Sequence, residues 1–206
     1  MALAAQPALE SRPPVRTEAA VPVPGTSRLS RQLTNGCTIR TGTPADAPFM
    51  HTLIAANVEV GHLLPRTRGE LEAHATRFSV IEREGRVVGC AELAPLSATV
   101  AEVRSLVVDE GERGRGLGTV LVEELSARAR REGVWTLCAF THHPAHFVRL
   151  GFSIVPHVWL PEKIARDCTA CAKFRVCGQY AVVLHPRTGV MRPLRMARVT
   201  ARVTPR

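Results

Sequence analysis

The sequence predicts an α/β domain of three layers, with helices on both faces of a central twisted sheet. Three observations carry this prediction. The chain has 206 residues and 45% hydrophobic content, enough to enclose one core of ordinary size. From Cys37 to His185, apolar runs of period two alternate with stretches of helical spacing, in the order β-α-α-β-β-β-α-β-α-β. No repeat period emerges, so the elements read as one domain spanning residues 37–185.

Each element has its own signal. CTIRTGT reads as a first strand. TPADAPFMHTLIAANVEV follows as a helix, with Thr43 as N-cap, Pro44 at the first helical position and apolar residues at helical spacing. RGELEAHATR reads as a second, short helix. FSVIEREGRVVGCAELAPL is a hairpin, two alternating runs joined at Glu84-Gly85. TVAEVRSLVVD is a strand whose apolar end places it centrally in the sheet. TVLVEELSARARREG is a helix that Gly133 stops. WTLCAF is a short buried strand, PAHFVRL a short helix, GFSIV a strand and QYAVVLH the last strand.

The net charge of +9 lies mostly outside these elements. Residues 1–36 carry +2 and residues 186–206, with six arginines and no acid, carry +6, which leaves +1 for residues 37–185. A nucleic-acid binder carries its basic face on the folded domain, beside aromatic platforms or a recognition helix. This domain is nearly neutral and the chain is 4% aromatic, which argues against specific nucleic-acid binding. Residues 1–36 are rich in Pro, Ala, Ser and Arg without periodicity, so a disordered N-terminal extension is expected. Glu10, Glu18 and the prolines argue against a mitochondrial transit peptide. Residues 186–206 read as a solvated basic tail. No apolar run approaches the roughly 20 residues of a membrane span, and no signal peptide shows, so a soluble cytoplasmic protein without a membrane partner is expected. The sequence leaves a homodimer open.

The segment DEGERGRGLG, Asp109 to Gly118, interrupts a strand-to-helix boundary with glycines and two arginines. A glycine-bearing turn that opens a helix exposes backbone N–H groups at the positive end of that helix, which makes an anion cradle. Arg113, Gly116 and Gly118 follow R-x-x-G-x-G, where glycines let a pyrophosphate approach the main chain and Arg113 or Arg115 adds charge. The P-loop pattern is excluded because no Lys-Ser/Thr follows, and Gly114-x-Gly116-x-Gly118 misses the dinucleotide spacing.

On these residues, within SLVVDEGERGRGLGTVLVEEL and the later LGF, the chain resembles the GNAT superfamily of acetyl-CoA-dependent N-acetyltransferases from about Cys37 to His185. The resemblance implies a central mixed, mostly antiparallel sheet. It also implies that main-chain groups of Leu106, Val107 and Val108 pair with the pantetheine of acetyl-CoA. Amides of Arg113, Gly114, Arg115, Gly116, Leu117, Gly118 and Thr119 would hold its pyrophosphate.

The chemistry needs a neutral amine, so a base must take a proton from the acceptor ammonium. Glu102, eleven residues before Arg113 in VAEVRSLVV, is similar in placement to the catalytic glutamate of many superfamily members. Many of them also carry a tyrosine, as general acid, four residues before the Gly of the late G-F motif; here that position is Phe147. Water, or one of His142, His143 and His146, is left to supply the proton, while Tyr180, the chain's one tyrosine, is assigned to packing in the last strand. AEVRSLVV, FTHHPAHFVRLGF and LPEKIARDCTACAKFRVC resemble short, stand-alone bacterial N-acetylglutamate synthases and related amino-acid N-acetyltransferases. A dicarboxylate acceptor requires cations, and Arg104 shares a strand face with Glu102. Arg149, Lys163 and Arg166 are weaker candidates.

Cys168, Cys171 and Cys177 offer three thiols, with His157 or His185 as a fourth ligand, for a zinc site. The competing reading, reduced thiols in a loop over the acceptor site, is preferred, so no metal is expected. His51, His62 and His74 are assigned to the surface or the core. The expected function is acetyl transfer from acetyl-CoA to the α-amine of an amino acid, glutamate first, as in arginine biosynthesis. Two alternatives stay open: a peptide, protein or small-amine acceptor, and a regulatory domain that binds acyl-CoA without turnover.

Overall fold

The computed structural model describes residues 30–33, 36–59 and 63–186. Most of the expected extension, nearly all of the basic tail, and His62 lie outside the described residues. One mixed sheet runs in the order β1-β2-β3-β4-β5-β6-β8-β7. Its strands are β1 Arg31–Gln32, β2 Thr38–Thr41, β3 Phe78–Arg83, β4 Arg86–Pro95, β5 Val100–Val108, β6 Thr136–Thr141, β7 Ser153–Val155 and β8 Tyr180–Leu184. Neighbours are antiparallel except β5 and β6. The helices are α1 Ala47–Glu59, α2 Arg68–Ala73, α3 Leu117–Arg131, α4 Pro144–Arg149 and α5 Pro161–Lys163, which runs on as a π-helix, Ile164–Cys168.

Local chemistry accounts for these boundaries. Glu84 and Gly85 both take positive φ, 50° and 76°, the twist that a two-residue hairpin needs. Thr43 and Asp46 form a capping box ahead of α1, and Arg40 holds both Asp46 oxygens at 2.8 Å, tying the helix entrance to β2. Helix α3 buries Leu117, Leu121, Val122, Leu125 and Ala129 along one face. It ends in a Schellman motif: Val134 N–H donates to Ala129 O at 2.9 Å, and Gly133, in the left-handed region, donates to Arg130 O.

Two cores lie under the helices, and a third cluster joins Val100, Cys138, Val155, Leu160, Ala181 and Val183. Helix α3, with Phe147 and Phe152, packs on Ile81, Val88, Leu93, Val103 and Leu137. Helices α1 and α2 pack on Phe78, Val80, Cys90 and Val107 from the other side. Val103 and Val107 belong to opposite faces although their spacing is even. The cause is a bulge: Cys90 pairs with Val107 and Glu92 with Arg104, so β5 carries one residue more than β4, and Ser105 sits at φ 51°.

The structure departs from the expected elements in three places. Strand β1 lies inside the segment expected to be disordered, pairing Arg31 with Ile39 and Gln32 with Thr38. Helix α3 begins at Leu117, two residues before the expected Thr119, because Gly116 in the left-handed region already turns the chain into it. Residues 157–176 fold as a strap of short helical turns.

Candidate active site

The sheet opens at its one parallel pairing. The β5–β6 ladder ends at Glu102 opposite Cys138, whereas β6 stays paired with β8 as far as Thr141 opposite Tyr180. Beyond Glu102 the edge of β5 facing β6 therefore has no strand partner among the described residues. A cavity of about 710 Å3 fills this split, lined among others by Glu102, Arg104, Leu106, Phe140, Phe147 and Lys163.

A cluster of four charges stands at the fork. Glu102 is buried, and both its oxygens accept from Lys163 Nζ at 2.9 Å. Arg104, two residues along the same strand face, donates through Nε to Glu102 Oε2 at 2.9 Å. Its Nη2 donates to both Glu102 and Asp167. Lys163 closes the ring with a 2.9 Å bond to Asp167 Oδ2, and its ammonium lies 5.2 Å from the centre of the Phe140 ring. Burial pushes the Asp167 carboxyl up, but the bond from Lys163 and the charge of Arg104 outweigh it and hold the group below its ordinary value. Burial likewise opposes the Arg104 charge, and Glu102 outweighs it. Removing one partner from such a buried pair costs about 3–5 kcal/mol, because the other charge stays behind uncompensated.

A second charge group borders the first. Glu92, fully buried in β4 and paired in register with Arg104, accepts from Arg66 at 3.0 Å and lies 4.0 Å from Arg77. Arg66 Nε is buried without a hydrogen-bond partner. Glu70 also lines this wall and its carboxylate feels the Arg66 charge, so two arginines stand here with two carboxylates.

The glycine loop lies past the end of β5. Gly114 and Gly116 both adopt φ 77°, and a Cβ on either would meet nothing within 4 Å, so glycine serves the backbone conformation and leaves the concave side open. The first amides of α3, through Thr119, precede the first i to i−4 bond, Val120 N–H to Gly116 O, and are directed out of the helix end. Arg113 departs from the expected cradle. Its amide already donates to Glu110 O, and its guanidinium turns to Asn57 Oδ1 at 2.9 Å and to Val108 O. Arg115 pairs with Glu112 at 3.4 Å. His146 leans on this helix end, 3.7 Å from where a Cβ on Gly118 would sit. Burial, then Arg149, lowers its pKa.

Of the remaining expected residues, Phe147, His142, His143, Lys163 and Arg166 line the cavity, and Arg149 does not. Val107 turns its side chain away from the cavity and buries it under α1. Tyr180 is about half exposed, at 49%, and not packed in the core, because β8 turns it outward opposite Thr141. Cys171 lines the cavity from the strap. Among the described residues no three His, Cys, Asp or Glu side chains converge to hold a metal. His157 and His185 bond instead to the carbonyls of Gln179 and Trp135. Cys138, opposite Glu102, has its thiol pushed up by burial first and by Glu102 second, so it stays protonated. Sequence reasoning missed Asp167, Arg66, Arg77 and Glu92. Only Glu92 left a signal, a carboxylate inside a run of apolar residues.

A sheet split beside a buried carboxylate, with a glycine turn opening a helix at its far end, defines an acyl-transfer site on an α/β scaffold. The chain belongs to the acetyltransferase (GNAT) family, whose model matches residues 49–152, and it is an acetyl-CoA-dependent N-acetyltransferase. It is 33% identical over 145 residues to an uncharacterised N-acetyltransferase of Chlorobaculum tepidum, covering 70% of this chain and 94% of that one. It is 38% identical over 112 residues to an amino-acid acetyltransferase of Pseudomonas putida, covering 54% of this chain but 26% of that protein's length. Among solved structures, N-acetylglutamate synthase from Neisseria gonorrhoeae, complexed with coenzyme A and N-acetyl-glutamate, superposes with TM-score 0.65 at 28% identity. The match covers 72% of this chain and 35% of that one. No helix among the described residues is long and apolar enough to cross a membrane.

Proposed function

We propose that this enzyme acetylates the α-amine of a free amino acid, with L-glutamate as the preferred acceptor, the reaction that opens arginine biosynthesis in the cytoplasm. The observation that carries the reading is the buried carboxylate of Glu102 at the fork of β5 and β6, bordered by two separate groups of cations. The unpaired edge of β5 offers main-chain groups at Leu106 to Val108 to the pantetheine arm of acetyl-CoA, and the amides of residues 114–119 offer the positive end of α3 to its pyrophosphate. Glu102 takes a proton from the acceptor ammonium, directly or through water. The freed nitrogen attacks the thioester carbonyl, and as the tetrahedral adduct collapses the nitrogen gives up its second proton to water, the C–S bond breaks, and coenzyme A leaves as thiolate. Phe147 offers no hydroxyl at this step. With a thiol pKa near ~8.5 the thiolate departs readily, and water relays to it the proton that the nitrogen released.

A dicarboxylate fits the two cation groups. Arg104 and Lys163 suit the carboxylate next to the reacting amine, and Arg66 with Arg77 suits the one at the far end of the side chain. Support comes from the amino-acid acetyltransferase of P. putida and from the Neisseria enzyme that holds N-acetyl-glutamate. The chain spans about a quarter of the first relative's length and about a third of the second's.

Thiol release from acetyl-CoA, followed across the twenty amino acids, a lysine peptide and a plain alkylamine, tests the proposal. Glutamate is expected to give the highest kcat/KM. Turnover with the peptide or the alkylamine alone would overturn the amino-acid acceptor.

A further inference from the structure

The strap places a carboxylate of the protein itself where the acceptor reading needs a cation to be free. Asp167 Oδ2 accepts from Arg104 Nη2 and from Lys163 Nζ, so the two cations assigned to the substrate carboxylate are both already engaged. Within the ring, Glu102 and Asp167 balance Arg104 and Lys163 charge for charge. Asp167 is anchored differently from its partners. Glu102 and Arg104 lie on β5 in the sheet, whereas Asp167 lies in the π-helix Ile164–Cys168 of the strap, a geometry that is rare and concentrated at functional sites. Its side chain is 30% exposed, against 5% for Glu102, so it can leave the ring more easily than the base can.

From this geometry we infer that Asp167 is a specificity-determining placeholder, an internal carboxylate that the substrate's own carboxylate must displace from Arg104 and Lys163. The inference rests on the acceptor reading above. An incoming carboxylate exchanges one anion for another and keeps the ring neutral. An amine that lacks a carboxylate has nothing to exchange and leaves the strap docked. In this role Asp167 keeps Arg104 and Lys163 from holding stray anions, lowers affinity for simple carboxylates, and couples acceptor binding to release of the strap around residue 167.

The test uses glutarate, a dicarboxylate without an amine, added to the full chain saturated with coenzyme A. Calorimetry on Asp167→Asn is expected to give a Kd about tenfold lower than on the wild type, the size of one charge-assisted hydrogen bond regained. In the wild type, saturating glutarate is expected to raise amide hydrogen exchange at residues 164–170, and Asp167→Asn is expected to show the raised exchange without glutarate. Equal or weaker glutarate binding by the folded variant overturns the inference. Unchanged exchange in the glutarate-saturated wild type does so too, and that arm decides the matter if the variant does not fold. Tighter glutarate binding by the variant without acetylation of glutamate would sink the acceptor and keep the placeholder. Glutamate turnover with glutarate affinity unaffected by Asp167→Asn would do the reverse.

Discussion

At the scale of single residues the cavity is governed by pairing. Glu102, the proposed base, is surrounded by cations, and its alternation with Arg104 is legible in AEVR because residues two apart share a strand face. The rest of the ring, Lys163 that bonds to it and Asp167 that bonds to Arg104, was not legible. Lys163 and Asp167 lie more than sixty residues away in a segment without period, and no local pattern announces an ion pair across such a distance. His146 yields a pH prediction. Its folded pKa is below the ordinary value near 6.5, chiefly through burial, so the folded chain binds fewer protons than the unfolded one. The stabilising contribution is therefore present above about pH 6.5 and lost as pH falls through the folded value. Melting temperatures taken from pH 7.5 down to about 5 should drop less for His146→Gln than for the wild type.

At the scale of elements, the glycine turn and α3 form the unit that the sequence shows most plainly. The Gly133 stop and the apolar face of α3 follow from local chemistry alone, and both are found. The bulge in β5 was not legible, because Ser105 is neither Gly nor Asn and nothing marks it for positive φ. Strand β1 was hidden for a different reason: two polar residues carry no period, and only pairing with β2 makes them a strand. Gly116 gives the second prediction. An alanine there meets no neighbour but must adopt φ 77°, at a cost of roughly 1–2 kcal/mol. Gly116→Ala should raise the KM for acetyl-CoA about tenfold and leave the KM for the acceptor nearly unchanged, which steady-state kinetics with each substrate varied in turn will check.

At the scale of the molecule, one sheet serves two purposes. Its β2 to β5 half is clamped between α3 and the α1–α2 pair, and the parting of β5 from β6 leaves the remaining edge open to a cavity. Stability and chemistry should therefore separate under mutation. Leu121 is fully buried on the α3 side, and Leu121→Ala should cost about 2–5 kcal/mol and lower the Tm while leaving both KM values in place below the melting range. The central claim is that the carboxylate at the fork takes the acceptor's proton. It is tested most directly by comparing kcat for glutamate-dependent thiol release between wild type and Glu102→Gln, with melting curves confirming that both are folded. The account predicts a fall of about 10²–10⁴-fold with little change in the KM for acetyl-CoA; an unchanged kcat in the folded variant would contradict it.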